Sequence, residues 1–342
     1  MRTRAIVASA LSLFAAGVSL SGFAEQNAAV ANASEGITAA ANKFLGTLDE
    51  HQREKVLFDF KDDEQRKRWS NLPSGIFKRA GLRMGDLNQQ QRDSVLGLLA
   101  TALSANGYQK VLQIMEGDEL LKKSGDGRVT FGRDEYYISL VGRPSTNEAW
   151  TIQFGGHHLG LNITMVGEQG TLAPSHTGAQ PAIYEMEGKT VRPLGRETDK
   201  AFALVNSLDQ TQRKQAILGF QMHDLVLGPG RDGQMIQPEG IKGSALTENQ
   251  REMLLDLARE WTSIMHEAVA KAKMIELKQN ISETWFAWSG PTDKGSAAYF
   301  RIQGPTVIIE YAPQRLGGDP TKHIHTIYRD PSNEYGAKWR KR

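Results

Sequence analysis

The chain of 342 residues has no cysteine. This absence excludes disulfides, a thiolate nucleophile, sulfur-ligated zinc or iron–sulfur sites and a lipoprotein anchor. Any metal must be held by His, Asp, Glu, Asn or Met, and the fold must rest on its core. Charge of one sign is also lacking: 41 Lys and Arg stand against 39 Asp and Glu, interleaved. That gives no footing for nucleic acid as a partner. GPGRDGQ (228–234) lacks the Gly-Lys-Ser/Thr of a phosphate loop and does not join a strand to a helix, so no nucleotide cofactor is expected. Long apolar runs are confined to one place, AIVASALSLFAAGVSLSG (5–22), behind Arg2 and Arg4 and ahead of Phe23-Ala24. This reads as a Sec-type signal peptide over 1–24, cleaved near Ala24. It implies a periplasmic or secreted protein with no stable membrane insertion after cleavage. Residues 25–36 read as a flexible leader.

One phrase recurs four times: LDEHQR (48–53), LNQQQR (87–92), LDQTQR (208–213) and LTENQR (246–251). Asp49, Asn88, Asp209 and Thr247 are helix N-cap residues. Gln52, Gln91, Gln212 and Gln250 stand three positions on, where a side chain reaches back to the cap; the leading leucines hold the staple position. The copies lie 39 and 38 residues apart within two pairs, and the pairs are offset by 160 and 159. Two copies do not make a solenoid. They predict an α+β protein of internally duplicated helix–helix–strand–strand units, with helices packed on a mostly antiparallel sheet. The first half spans 37–198 and the second 199–342, packed together as one globular domain. Helices are expected over 37–60, 88–105, 108–122, 199–224 and 248–276. ISLVG (138–142) and TIQFGG (151–156) correspond to FAWSG (286–290) and FRIQGP (300–305).

The two halves differ in their polar residues. Five of the eight histidines fall in two segments: His157, His158 and His176, then His323 and His325. Read as a strand, WTIQFGGHHLGLNITMVG puts His158, Gly160 and Asn162 on one face and His157 with Leu159 and Leu161 on the other. Gly160 leaves room for something to approach the backbone. His323 and His325 share a strand face. His157 or His158 joining His323 and His325 would give three imidazoles and an open position, suited to Zn, Cu or Fe. Glu310 is the candidate general base, with Asp330 as a further carboxylate. Arg329 is the candidate for an anionic substrate group, through its two-pronged guanidinium. Trp150, Asn162 and His176 are candidate substrate contacts. The other reading of the histidines is a hydrogen-bond network tying the sheet together. For Arg329-Asp330-Pro331 it is a turn held by an Arg–carboxylate pair.

GGHHLGLN (155–162), TLAPSHTGAQPA (171–182), FAWSG, YFRIQGPTVIIEY and HIHTIYRDPSNEYG (323–336) together resemble the bacterial family catalogued as domain of unknown function 3500, from about Phe44 to Gly336. The resemblance implies an exported or otherwise extracytoplasmic protein and brings no activity with it. The family's closing motif carries Asp before the aromatic–Gly pair where this chain has Glu334, which counts against a ligand role there. The residues therefore point to a metal-dependent enzyme acting on a small extracytoplasmic molecule, a hydrolase before an oxidoreductase. The alternative is a non-catalytic metal- or ligand-binding protein.

Overall fold

A computed structural model describes residues 20–124, 128–316 and 318–340. The charged start and most of the apolar run of the expected signal peptide lie outside the described residues. The helices are α1 (Leu20–Gly46), α2 (Glu50–Val56), α3 (Asp63–Lys67), α4 (Gln89–Ala102), α5 (Ala105–Leu121), α6 (Gly195–Ser207), α7 (Gln210–Ala216), α8 (Glu248–Thr262) and α9 (Glu267–Gln279). The first strands are β1 (Leu57–Phe58), β2 (Leu82–Arg83), β3 (Tyr137–Val141), β4 (Trp150–Gly156), β5 (Leu159–Val166), β6 (Gln169–Thr171) and β7 (Ser175–Ala179). After them come β8 (Tyr184–Met186), β9 (Lys189–Val191), β10 (Ile241–Lys242), β11 (Trp285–Ser289), β12 (Tyr299–Gly304), β13 (Val307–Pro313) and β14 (Ile324–Arg329).

Residues 25–36 are not a flexible leader: they lie inside α1. The stretch is rich in alanine, the strongest helix former. Ala33, Ile37, Ala41 and Phe44 recur at helical spacing and are buried. Three expected long helices are each divided. The first breaks at Thr47–Asp49 and the fourth at Leu208–Asp209, where a capping box starts a new helix. The last breaks at Ser263–His266, where the His266 ring accepts the Ala268 N–H and caps α9.

All four capping boxes form, on Asp49, Asn88, Asp209 and Thr247. Their glutamines also pair across helices. Gln91 Nε2 donates to Gln52 Oε1 at 2.8 Å, and Gln212 and Gln250 exchange bonds of 2.8 and 2.9 Å. The arginine that ends each phrase folds back on a carbonyl: Arg92 on Leu87, Arg213 on Leu208 and Arg251 on Leu246, with Arg53 on Leu45. The phrase therefore caps its own helix and clasps the partner copy. Both glutamines are buried in the second pair, where a lone amide would cost about 1–3 kcal/mol.

The described strands form a twelve-stranded sheet with main path β1-β3-β4-β5-β7-β14-β13-β12-β11-β10, plus the β8-β9 hairpin. The β1–β3 pair is parallel and every other pair antiparallel. The β7–β14 pair at the centre joins β3-β4-β5 on one side to β13-β12-β11 on the other.

Strand alternation gives the sheet two unlike faces. One carries Ile138, Leu140, Ile152, Phe154, Leu161, Ile309, Tyr311, Phe300, Phe286 and Trp288, and it packs on the helices. Phe202 of α6 meets Trp288 edge-on, and Trp261 of α8 meets Phe300. The other face carries Ser139, Gln153, Asn162, His176, His325, Arg329, Glu310, Arg301 and Gln303, all buried. Two segments cover it: 59–81, between β1 and β2 and carrying α3, and the irregular 218–240, before β10. Gln65 Nε2 of the first donates to Gln153 Oε1 at 2.9 Å and Ser139 Oγ at 3.3 Å. Val226 and Leu227 of the second donate their N–H groups to Glu310.

Candidate metal centre

The histidines collect on the polar face at the sheet's centre. His157 and His158 are not strand residues: they form the two-residue turn between β4 and β5, closed by the Gly156–Leu159 pair. His158 has φ +61°, a left-handed conformation that costs an L-residue about 1–2 kcal/mol. The His158 carbonyl accepts the Gly178 N–H at 2.7 Å, and its own N–H donates to Asn71 O at 3.3 Å. The turn thereby sends its two rings apart in function. His158 goes to His323, just before β14, and His157 goes to α5.

His158 Nε2 lies 2.9 Å from His323 Nε2, which lies 3.0 Å from His325 Nε2. All three residues are buried, and their ligand nitrogens fall within 4.8 Å of one another. Two imidazole nitrogens on a tetrahedral ion at 2.0–2.1 Å would stand about 3.3 Å apart, so the trio needs little adjustment to hold one. The tautomers point the same way. His323 Nδ1 is 2.6 Å from the Leu316 carbonyl oxygen, which only accepts, so Nδ1 carries the proton. In a neutral ring this leaves Nε2 with a single lone pair facing two further ring nitrogens. One cation between the three nitrogens satisfies all of them. Asn71 contacts His325 Nδ1 at 3.4 Å, at the outer side of that ring.

Burial holds these rings neutral. It pushes His158 and His325 well below the ordinary imidazole range, lowers His323, and takes His176 down to about 3; neighbouring histidines add to the effect. Neutral imidazole is the form that ligates metal. The buried histidine cluster could therefore hold a metal ion.

His157 Nδ1 is 2.5 Å from Asp118 Oδ1, and its ring lies 4.9 Å from that of Phe131. Asp118 also accepts the Gly132 N–H at 3.2 Å. Burial raises the Asp118 carboxyl, while the His157 bond and its charge act to lower it. Asp118, His157 and His158 form a second group with metal-ligand spacing. The sequence reading missed Asp118, although a signal was there: with Gly107, Val111 and Ile114 it lies on the buried stripe of α5. An acid on such a stripe needs a partner. Asn71 and the Leu316 carbonyl had no comparable signal.

His176, on β7, is fully buried beside His325, ring centroids 5.2 Å apart. Gly160 does face a close neighbour, the Trp69 ring, which a Cβ there would meet at 2.6 Å.

The remaining candidates are occupied elsewhere. Glu310 Oε2 accepts Val226 N–H and the Tyr299 hydroxyl at 2.7 and 2.8 Å, and Oε1 accepts Leu227 N–H at 2.8 Å. The carboxylate expected as general base is thus an anchor for the 218–240 segment. Arg329 donates to Leu227 O and Gly228 O at 2.7 and 2.9 Å and pairs with Glu334 at 2.7 Å. Asp330 bonds Lys273 at 2.7 Å and the Ser332 N–H at 2.9 Å, in the turn that Asp-Pro announces. It lines a cleft of about 380 Å³ together with Lys273, Glu276 and Trp339. For Arg329-Asp330-Pro331 the turn reading describes the contacts. Asn162 accepts from Gln153 and donates to Pro174 O, and Trp150 belongs to the apolar face with its indole N–H on Ser145 O. None of these five joins the imidazole ligand group.

Among the described residues no helix is long and apolar enough to cross a membrane. No curated protein and no solved structure matches the chain. The model of one family, described as "Protein of unknown function (DUF3500)", matches residues 30–337, nearly the whole chain and all of the histidine cluster. The chain therefore belongs to the DUF3500 family.

Proposed function

We propose that this is an extracytoplasmic metal-dependent enzyme, hydrolytic before oxidative, whose ion sits on His158, His323 and His325. The observation that carries the reading is the single lone pair of His323 Nε2 with a second imidazole nitrogen on either side of it, at 2.9 and 3.0 Å. Three imidazoles without a fourth side-chain ligand leave an open position, the pattern of catalytic zinc sites. A divalent ion there supplies Lewis acidity toward a carbonyl or phosphoryl oxygen. Leu316 fixes the His323 tautomer, as outer partners of metal ligands do, and Asp118 orients the His157 ring that packs on His158. The extracytoplasmic location rests on the apolar run behind Arg2 and Arg4. The sequenced N-terminus of protein recovered from the periplasm would test it, with Glu25 expected first. The paired phrases and the matching strand order support descent of 37–198 and 199–342 from one duplicated unit.

A carrier is the second reading, favoured by burial: the three ligand residues are 1, 5 and 8% exposed. Elemental analysis and titration of purified protein with Zn(II) and Cu(II) test the shared part. We expect one ion per trio, and at least about a hundredfold weaker binding in His323→Ala. Undiminished affinity in that variant removes both readings. Chelator-sensitive turnover of ester or phosphoester substrates, restored by metal and lost in His323→Ala, selects the enzyme. Tight binding with no turnover selects the carrier.

A further inference from the structure

His176 is fully buried, and neither ring nitrogen has a hydrogen-bond partner among the described residues. A neutral imidazole carries one N–H donor and one acceptor. Leaving them unmet inside a fold is costly, and such groups call for an explanation. The ring's position supplies one. Gly178 stands directly across the β7–β14 pair from His325, on the same face. A Cβ on Gly178 would lie 3.2 Å from His176 Nε2 and 3.0 Å from the His158 ring. The missing Cβ thus lets the rings of His176 and His158 close on the β7 backbone, and it sets the unmet His176 Nε2 beside the trio. His176 is too far away to belong to the trio's own ligand group.

Charge argues for what His176 meets there. The trio's ligands are three neutral rings, so a divalent ion on them would bring two buried positive charges without compensation. Of the carboxylates nearby, Asp118 is already bonded to His157, and Asp224, which acts on His323, already accepts from Gln314. A buried cation is tolerated when a counter-charge and hydrogen bonds meet it. We propose that the open position takes a small oxyanion, a carboxylate or phosphate-type group, and that His176 donates a hydrogen bond to its second oxygen. This rests on the metal reading above and names the ligand class of that centre. His176 is then a specificity-determining residue and not a metal ligand.

The test uses the full-length protein loaded with Co(II), whose visible d–d bands report a change of ligands, titrated with formate. His176→Phe keeps a ring of similar shape without a donor, and His176→Gln returns a donor. In the wild type, formate should shift the bands saturably. In His176→Phe, Co(II) affinity should stay within about threefold while the formate Kd rises at least tenfold. His176→Gln should recover part of that loss. An unchanged formate Kd in His176→Phe overturns the proposal, as does a wild-type spectrum that formate does not alter. A hundredfold loss of Co(II) affinity in His176→Phe would also overturn it, by making His176 a ligand. Absence of Co(II) binding in the wild type is a separate failure, that of the metal centre itself.

Discussion

The polar face carries two matched rows of side chains. On β3-β4-β5 the register aligns Ser139, Gln153 and Asn162; on β11-β12-β13 it aligns Ala287, Arg301 and Glu310. Each row holds the segment that covers it. The first does so with neutral groups, through Gln65 on Gln153 and Ser139. The second does so with charges, through Glu310 on the Val226 and Leu227 N–H groups and Arg301 on Glu239. The hairpin turns differ too. His157-His158 joins β4 to β5, and Pro305-Thr306 joins β12 to β13. Only the first has a left-handed non-glycine residue. The comparison teaches where to look: both rows build structure, and the departure that brings ligand chemistry is in the turn. Asn162 and Glu310, both candidate site residues, occupy equivalent row positions: Glu310 holds the covering segment directly, and Asn162 bonds Gln153 and the Pro174 carbonyl.

The largest effect should come from breaking the charged row. Glu310→Ala strips the Val226 and Leu227 N–H groups and the Tyr299 hydroxyl of their acceptor, at a cost of about 1–3 kcal/mol for each. Asn162→Ala, its counterpart in the neutral row, should cost about 1–3 kcal/mol. Urea unfolding of the two variants checks the order, and an Asn162→Ala loss equal to that of Glu310→Ala would dissolve the contrast.

Acid should act on the imidazole side of the molecule next. The folded-state values of His158, His176 and His325 lie below the ordinary value near 6.5, so the unfolded chain binds more protons as pH falls. Their share of stability is complete above about pH 6.5. It is lost on acidification, by up to about 1.4 kcal/mol per pH unit for each ring. For His176 the window runs from about 6.5 down to about 3. Unfolding midpoints of metal-free protein between pH 8 and 5 should slope accordingly, less steeply in His176→Phe. A flat profile below pH 6.5 would mean that the rings are not buried neutral.

A subtler break separates ligand binding from packing. Asp118→Asn keeps the size of the side chain and removes its charge from His157. Metal affinity should fall by less than about tenfold, the lower bound for a direct outer partner of a ligand, because Asp118 acts through the His157 ring packed on His158, and titration calorimetry reads it. An unaltered Kd would cut Asp118 out of the centre.

The smallest effect compares two histidines of the trio. His158→Gly relieves about 1–2 kcal/mol of left-handed strain, which offsets part of the cost of emptying its buried ring site, and it abolishes the trio. His325→Gly relieves nothing, since His325 is not left-handed, and should cost the metal-free protein more. A loss in His158→Gly equal to or larger than that in His325→Gly would remove the argument that strain at His158 is retained for its ligand.

Local pattern determined a good deal by itself. The four capping boxes, the α+β class and the antiparallel strands follow from spacing and residue type, because caps and alternation act over a few residues; spacing also singled out His323 and His325 with one of His157 and His158, and left open which. The α1 start was legible in its alanines and Ile37 but was masked by the polar residues between them. Only tertiary structure decided the rest. It put Gln91 on Gln52 and Asp118 on His157, turned Glu310 and Arg329 to the 218–240 segment, and gave His158 rather than His157 to His323. Those outcomes depend on which buried donor meets which acceptor across 39 to more than 100 residues. Side-chain type states what a group can bond, and only packing states which partner reaches it first.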